Sequence, residues 1–201
     1  MRKDFKTSAI GMLVVTLICG ILYPLVVTGI GQVAFPGNAN GQQVHVDGKL
    51  VGSKIIGQAF TTAKGAPLPQ YFQSRPSGTD PADNDAGTEF ANYGPNSTIT
   101  EKAIAANIRT YIALNGKYYP GGLTAAKVPV DAADTSASGV DPDISILNAD
   151  IQAYRIAAVR HLSLATVHGL ISKYTYGRGL GFSGEPGVDV LELNLALNRL
   201  S

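Results

Sequence analysis

One glycine pattern in the sequence has the spacing of a phosphate-binding loop. Residues Gly179–Gly184 (GLGFSG) spell GxGxxG, with which dinucleotide-binding folds bring the backbone close to a pyrophosphate. Such a site needs a strand before the pattern, a long helix after it and an acidic residue about 20 positions further on. Pro186 follows closely, however, and 17 residues remain after Gly184. The pattern therefore predicts positive-φ turns before the last element of the chain, rather than a nucleotide site.

The other residues that could carry chemistry show no catalytic or metal-binding spacing. The sequence contains no P-loop motif, and Ser183 does not lie in the GxSxG spacing of a hydrolase nucleophile. The histidines, which lack metal-ligand spacing, are His45, His161 and His168. Four aspartates lack the glycine and terminal glutamate of a calcium loop and predict a solvated linker; they are Asp131, Asp134, Asp141 and Asp143. No cofactor is therefore expected in this chain.

A long apolar run lies near the N-terminus. No charged residue occurs from Thr7 to Val44, and twelve of the 21 residues in Ile10–Ile30 are leucine, isoleucine or valine. About 20 predominantly apolar residues can cross a bilayer as a helix, and these twelve favour insertion by roughly 4 to 7 kcal/mol. The run is longer than a signal-peptide core, and no A-x-A cleavage pattern follows it. We therefore predict a tail over residues 1–8 and a transmembrane helix over 9–33.

The charges that flank this helix predict its orientation. Three of the first six residues are basic, and the next basic residue is Lys49. Basic flanks remain in the cytoplasm, so the N-terminus is expected inside and a domain of residues 36–201 outside, in the periplasm. The single cysteine, Cys19, falls within the apolar run and leaves this domain without a disulfide. The formal net charge of +1 gives no attraction to nucleic acid.

The outer domain is predicted to be of the α+β class. Val44–Phe60 carries β-branched residues around an Asp-Gly turn and predicts a hairpin or two short strands. Residues 61–97 hold five prolines and no clear period, which is typical of a long functional or partner-bound loop.

Helices are expected in the second half of the domain. One runs from about Thr100, with Gly116 at its C′ position, and others begin after Ser145 and Ser163. The last segment, VDVLELNLALN, alternates like a strand but starts with an Asp-x-x-Glu helix signal at Asp189. We favour a short helix for this segment.

Two further features could mark contacts with a partner. Arg75 lies among aromatic residues and a proline, where it could anchor a loop by donating to carbonyl groups or could contact a partner. In the apolar run, small residues and a proline recur every four positions, at Thr16, Gly20, Pro24 and Thr28. This spacing is typical of close helix packing in lipid and predicts a kink, although the same residues could simply face lipid.

Several motifs occur together in the order of one known family. They are QYFQSRPS at 70–77, GPNS at 94–97, VPVD at 128–131, SASGVDP at 136–142 and GRGLGFSGEP at 177–186, continuing into VLELNLAL at 190–197. This ordered set, with the N-terminal anchor, resembles the C subunit of the Kdp potassium-transporting ATPase over the whole chain. Matching motif residues include Gly177, Arg178, Gly181, Phe182, Gly184, Glu185, Pro186, Asp141 and Pro142. One departure is Asp143, where the family often has histidine.

The resemblance implies an accessory subunit of a high-affinity, ATP-driven potassium uptake complex in the bacterial inner membrane. Its partners would be a channel-like potassium-binding subunit, a P-type ATPase subunit and a small membrane peptide. The family's C subunit is regarded as assembling and stabilising this complex, and as a catalytic chaperone that raises the ATP affinity of the ATPase subunit. Because cytoplasmic ATP does not reach a periplasmic domain, we expect any effect on ATP to be transmitted through the complex.

Two other classes of function stay open from the sequence. A membrane-anchored periplasmic hydrolase would need a nucleophile–base pair, which the sequence does not place. A pilin-type filament protein also begins with an apolar helix, but this sequence lacks a processing site and an early glutamate in the apolar run. The accessory subunit is therefore the leading hypothesis.

Overall fold

The chain divides into two units, which are described separately. They are Met1–Val51 and Gly52–Ser201. The computed structural model describes residues 2–79, 82–83, 92–94 and 96–200. Parts of the predicted loop 61–97, and Pro95 in the GPNS motif, therefore lie outside the described residues.

An apolar helix forms most of the first unit. It consists of α1 (Arg2–Leu17), one wide π-turn (Ile18–Leu22) and α2 (Tyr23–Ala34). These 33 residues are long and apolar enough to cross a membrane, and the most apolar stretch is unburied within the chain. At 1.5 Å per residue the helix is about 50 Å long, which exceeds a hydrocarbon core of about 30 Å. The basic residues before the predicted span are therefore helical as well.

A proline accounts for the wide turn. Pro24 has no N–H group to donate to the carbonyl of Gly20, and its ring would clash with that carbonyl in a regular α-helix. The π-turn lies directly before this position and gives the ring room. The sequence predicts a kink here, and the structure shows a π-turn.

The helix is followed by a short turn and a hairpin. Phe35 leaves the helical conformation (φ −138°), and Pro36 begins the short helix α3 (Pro36–Ala39). Strands β1 (Gln43–Val46) and β2 (Lys49–Ser53) then form a two-stranded sheet. The turn between them has positive φ at both central residues, 51° at Asp47 and 75° at Gly48, as type I′ hairpins require. The predicted hairpin is confirmed.

The second unit combines helices with a small antiparallel sheet. The helices are α4 (Thr98–Asn115), α5 (Val130–Ala133), α6 (Ile146–Arg160), α7 (Leu164–Tyr174) and α8 (Val190–Asn198). The strands are β3 (Asp143–Ile144), β4 (Thr175–Tyr176) and β5 (Gly187–Asp189). β5 lies between the other two, so that Val188 is opposite both Ile144 and Thr175. This arrangement confirms the α+β class.

The core of this unit lies where α6, α7 and α8 pack over the sheet. Its fully or almost fully buried side chains include Phe72, Ile144, Ile156, Val167, Val188, Leu193 and Leu197. A smaller cluster joins α4 to α6 through Tyr111, Leu123, Ala132 and Ile151. The first cluster uses Ala149, Ala153 and Ile156 of α6, and the second uses Ile151 on the other side of this helix. Because α6 is buried on both sides, it is the centre of the domain.

Three helices begin at capping residues that the local sequence predicts. Ser145, Ser163 and Asp189 each cap a helix by accepting a hydrogen bond from a backbone N–H three residues later. The last segment is therefore a helix. Gly116 closes α4 as predicted, since the helix ends at Asn115 and Gly116 is its C-cap, but its φ of −60° is right-handed rather than the left-handed conformation expected of a C′ glycine. A left-handed residue instead ends α6, at His161 (φ 56°).

Candidate functional site

The helix face predicted to pack against a partner is exposed in this chain. Thr16, Gly20, Pro24 and Thr28 all carry exposed surface. In a regular α-helix, residues four apart drift around the axis by about 40° per step. A π-turn takes one more residue per hydrogen-bonded turn and reduces that drift. A Cβ placed on Gly20 would meet Thr16 Cγ2 at 3.9 Å. These four residues therefore form an exposed strip along the helix. Contact of this strip with another helix stays a prediction.

Arg75 binds a neighbouring loop of its own chain. Its Nη2 donates to the carbonyl of Thr135 at 3.0 Å, and its Nη1 lies 3.2 Å from the Asp141 carboxylate. These contacts favour the loop-anchoring alternative, because the guanidinium joins the QYFQSRPS motif to the SASGVDP motif. The Arg75 Nε atom is buried and has no hydrogen-bond partner within the described part of the chain. A contact of Arg75 with another protein stays a prediction.

The aspartates of the predicted linker are engaged in structure, so a solvated linker is the wrong description. Asp131 accepts from the Ser145 N–H and hydroxyl, both at 2.8 Å, and from the Asn148 amide at 2.9 Å. Its negative charge is favourable there because it lies at the N-terminus of α6. Asp143 accepts from the Tyr176 hydroxyl at 2.8 Å, and burial raises the pKa of this carboxyl. In the described residues no group of three or more His, Cys, Asp or Glu side chains could hold a metal ion.

Side chains, rather than a strand, bind the backbone of residues 69–73. Asn194 accepts from the Phe72 N–H at 2.8 Å and donates to the Phe72 carbonyl at 2.9 Å. Gln152 makes the same paired contact with Gln73, at 2.8 and 3.0 Å. Each amide thus satisfies the N–H and the carbonyl of one residue, as a neighbouring strand would.

A buried arginine completes this arrangement. Arg155 has no exposed surface and donates to the carbonyls of Pro69 and Tyr71, to Asn115 and to Gln152. These partners are neutral, and burial lowers the pKa of the guanidinium to about 10. We call the set Asn148, Gln152, Arg155 and Asn194 the buried polar network. The network was not predicted from the sequence, although the i, i+4, i+7 spacing of its α6 members among alanines and isoleucines is a signal for one buried face.

The glycine pattern forms a tight hairpin. Gly179 and Ser183 exchange both backbone hydrogen bonds at 2.8 Å, and Gly181 and Gly184 both have φ of 81°, which confirms the predicted positive-φ turns. Arg178 reaches across to both oxygens of Glu185 at 2.7 Å. The side chain of Phe182 projects into solvent, with 75% of its surface exposed.

This hairpin does not have the geometry of a dinucleotide loop. The helix that follows, α8, begins at Val190, beyond strand β5. The N-terminus of α8 is already occupied by the Asp189 carboxylate, which accepts from the Glu192 N–H at 2.7 Å. A phosphate would be repelled from that position, although helix N-termini otherwise favour anions.

The fold brings several of the motif residues together. The Val190 N–H donates to the Pro142 carbonyl at 3.1 Å, so the SASGVDP motif meets the start of the VLELNLAL motif at the central strand. An open pocket at this junction is lined by Arg75, Asp131, Asp141, Asp143, Tyr176, Glu185 and Pro186, among others. The glycines of the hairpin and Phe182 are not among its lining residues. Three pairs of residues in this pocket bind each other, Arg75 with Asp141, Asp131 with Ser145 and Asp143 with Tyr176, which indicates a structural junction.

Comparisons with known proteins point to one family. A family model described as "KdpC: K+-transporting ATPase, c chain" matches residues 5–199. A protein of Methylococcus capsulatus named "Potassium-transporting ATPase KdpC subunit" is 44% identical over 200 residues, covering all of both chains. Proteins with the same name from Mycobacterium bovis and Herminiimonas arsenicoxydans are 43% and 40% identical, covering 100% and 99% of each chain.

Proposed function

Because the chain belongs to the KdpC family of potassium-transporting ATPase C chains, we propose that it is a non-catalytic subunit that assembles and stabilises its complex. The family supports an accessory role in potassium uptake. The proposed partners are a channel-like potassium-binding subunit, a P-type ATPase subunit and a small membrane peptide.

One combination of features supports this proposal: the apolar helix is exposed, and the buried polar groups of the domain make structural hydrogen bonds. The most apolar stretch of the helix is unburied within the chain, so its small-residue face is available for a partner in lipid. In the domain, the buried polar side chains of the described residues bind backbone groups, cap a helix or bind one another. Such a domain is suited to rigid docking.

The proposed location is the inner membrane, with the N-terminus in the cytoplasm and residues 36–201 in the periplasm. The basic residues Arg2, Lys3 and Lys6 support this orientation. In that orientation an effect on ATP affinity has to be a coupling between sites, carried by the helix or by the outer surface of the ATPase subunit. The hairpin at 179–184 supports this view, because its geometry is unsuited to a phosphate.

The test is capture of the complex from native membranes. A C-terminal tag on this chain, gentle solubilisation and identification of the eluted chains are combined with an assay of potassium-stimulated ATP hydrolysis. We expect a P-type ATPase and a channel-like subunit to elute with that activity. Elution of the chain alone, without activity, would contradict the proposal, and hydrolysis of esters, peptides or glycans would then support the periplasmic hydrolase.

A further inference from the structure

The hairpin Gly177–Glu185 presents two apolar side chains to water. Leu180 is 91% exposed and Phe182 is 75% exposed, and they lie two residues apart at the tip. Large apolar side chains at the tip of a projecting loop have no role in the core of their own domain. Clustered exposed apolar surface of this kind marks contact sites in soluble domains.

The tip is held in one conformation. Besides the paired backbone bonds between Gly179 and Ser183, the Gly181 N–H donates to Arg178 and the Phe182 N–H to Gly179. Leu180 has a φ of 53°, a left-handed conformation that disfavours a bulky side chain. This conformation places the leucine at the apex, and a hairpin held in this way loses little conformational entropy on binding.

The charges of the hairpin indicate what kind of surface it fits. Its two ionisable side chains, Arg178 and Glu185, bind each other at 2.7 Å, so the hairpin is neutral and carries no unpaired basic group. A loop that docks on anionic lipid headgroups uses unpaired Lys or Arg side chains. A neutral, projecting apolar tip is complementary to a concave apolar pocket on a protein.

We propose that the hairpin is a preformed plug that inserts Leu180 and Phe182 into an apolar pocket on the outer surface of a partner subunit. This inference rests on the proposed function, since it names the contact by which the domain docks in the complex. Fully burying one such side chain corresponds to a tenfold to hundredfold gain in affinity. Removing both is therefore expected to weaken docking by about 100-fold or more.

Photocrosslinking identifies the occupant directly. The full chain with Phe182 replaced by benzoylphenylalanine is expressed with its partners and irradiated in native membranes. We expect a covalent adduct to a subunit of the complex, mapped by mass spectrometry to an apolar surface. An adduct to lipid, or no adduct, would overturn the proposal. The control places the same crosslinker at Tyr93, which is also exposed. We expect no such adduct from this position.

Variants separate this inference from the proposed function. The double variant Leu180→Asn, Phe182→Ser removes the apolar tip, and asparagine tolerates the left-handed conformation at position 180. Ser183→Ala changes the hairpin but keeps both apolar side chains and serves as the control. We expect the double variant to retain the melting temperature of the wild type and to lose the partners, whereas the control keeps them. If the double variant captures the partners as well as the wild type does, the plug is overturned and the proposed function is not. If the wild type itself captures no partners, the proposed function is overturned as well.

Discussion

Six polar or charged side chains are buried in the described part of the unit Gly52–Ser201: Asn115, Asn148, Gln152, Arg155, Asp189 and Asn194. Buried polar groups are tolerated when they are hydrogen-bonded, and removal of one partner leaves the other unsatisfied. Three of the six, Gln152, Arg155 and Asn194, bind backbone groups of residues 69–73. Because these contacts fix the QYFQSRPS segment, the residues of the buried polar network act on stability rather than on chemistry.

Replacement of Asn194 tests this network. In Asn194→Ala the N–H and carbonyl of Phe72 both lose their partner in a site with no solvent. We expect a loss of about 2–4 kcal/mol in the free energy of unfolding, measured for the full chain in detergent by chemical denaturation. Asn198→Ala on the same helix removes an exposed contact with Arg160 and should cost less than about 1 kcal/mol. Equal effects of the two changes would contradict this account.

Asp189 gives the domain a dependence on pH. Burial raises the pKa of its carboxyl from 3.8 to about 6, so the folded state holds the proton more tightly than the unfolded state. The contribution of this group to stability is therefore fully present below about pH 4 and falls as the pH rises to about 6, by at most about 3 kcal/mol.

The matched change is Asp189→Asn, which keeps a side-chain oxygen for the helix cap. We expect the difference in unfolding free energy between this variant and the wild type to increase in favour of the variant from pH 4 to pH 6.5. The pKa values of Asp83 and Asp143 are also raised. Asp83 is present in both proteins and cancels in the difference, whereas the charge of Asp143 contributes to the raised pKa of Asp189 and belongs to the measured effect. A difference that does not vary with pH would show that Asp189 is not the titrating group.

At the scale of elements, the apolar helix contains its own irregularity. The π-turn at Ile18–Leu22 lies within the strip formed by Thr16, Gly20, Pro24 and Thr28. π-turns inside helices are frequent at functional positions, and this one lies where a partner helix is expected to approach. Side chains larger than glycine would hold the two backbones apart.

Gly20→Leu is therefore expected to disrupt association with the partner subunits. Gly11→Leu is the matched control, because it lies nine residues earlier and about half a turn away around the helix, and a Cβ added at either glycine meets no atom closer than 3.9 Å. Co-purification with the tagged chain measures the effect, and we expect at least a tenfold loss for Gly20→Leu alone. Retention of the partners by both variants would show that this strip is not the interface.

The elements differ in how far the sequence predicts them. Ser145, Ser163 and Asp189 act within three residues of themselves, and for this reason the starts of α6, α7 and α8 are readable from local sequence. Asn194 and Gln152 bind residues 122 and 79 positions away, and no local pattern shows such partners. The aspartates of 128–143 were misread for the same reason, since the long-range partner of Asp141 is Arg75, 66 positions away.

At the scale of the whole molecule, the proposed function depends on which side of the membrane the domain lies. If residues 36–201 are periplasmic, the domain acts on ATP hydrolysis only through coupling. The flanking charges give the expected orientation. In the described residues the apolar helix Arg2–Ala34 is the one span long enough to cross the bilayer. One cysteine label on each side of this helix therefore tests the orientation.

Cysteine labelling decides between the orientations. In a Cys19→Ser background, Ala137→Cys introduces a thiol at an exposed position of the domain and Ser8→Cys introduces one before the predicted span. With a membrane-impermeant maleimide on intact spheroplasts, we expect Ala137→Cys to react at once and Ser8→Cys to react only after permeabilisation. The reverse pattern would place the domain in the cytoplasm. It would then give the domain direct access to ATP and remove the physical reason for an indirect effect.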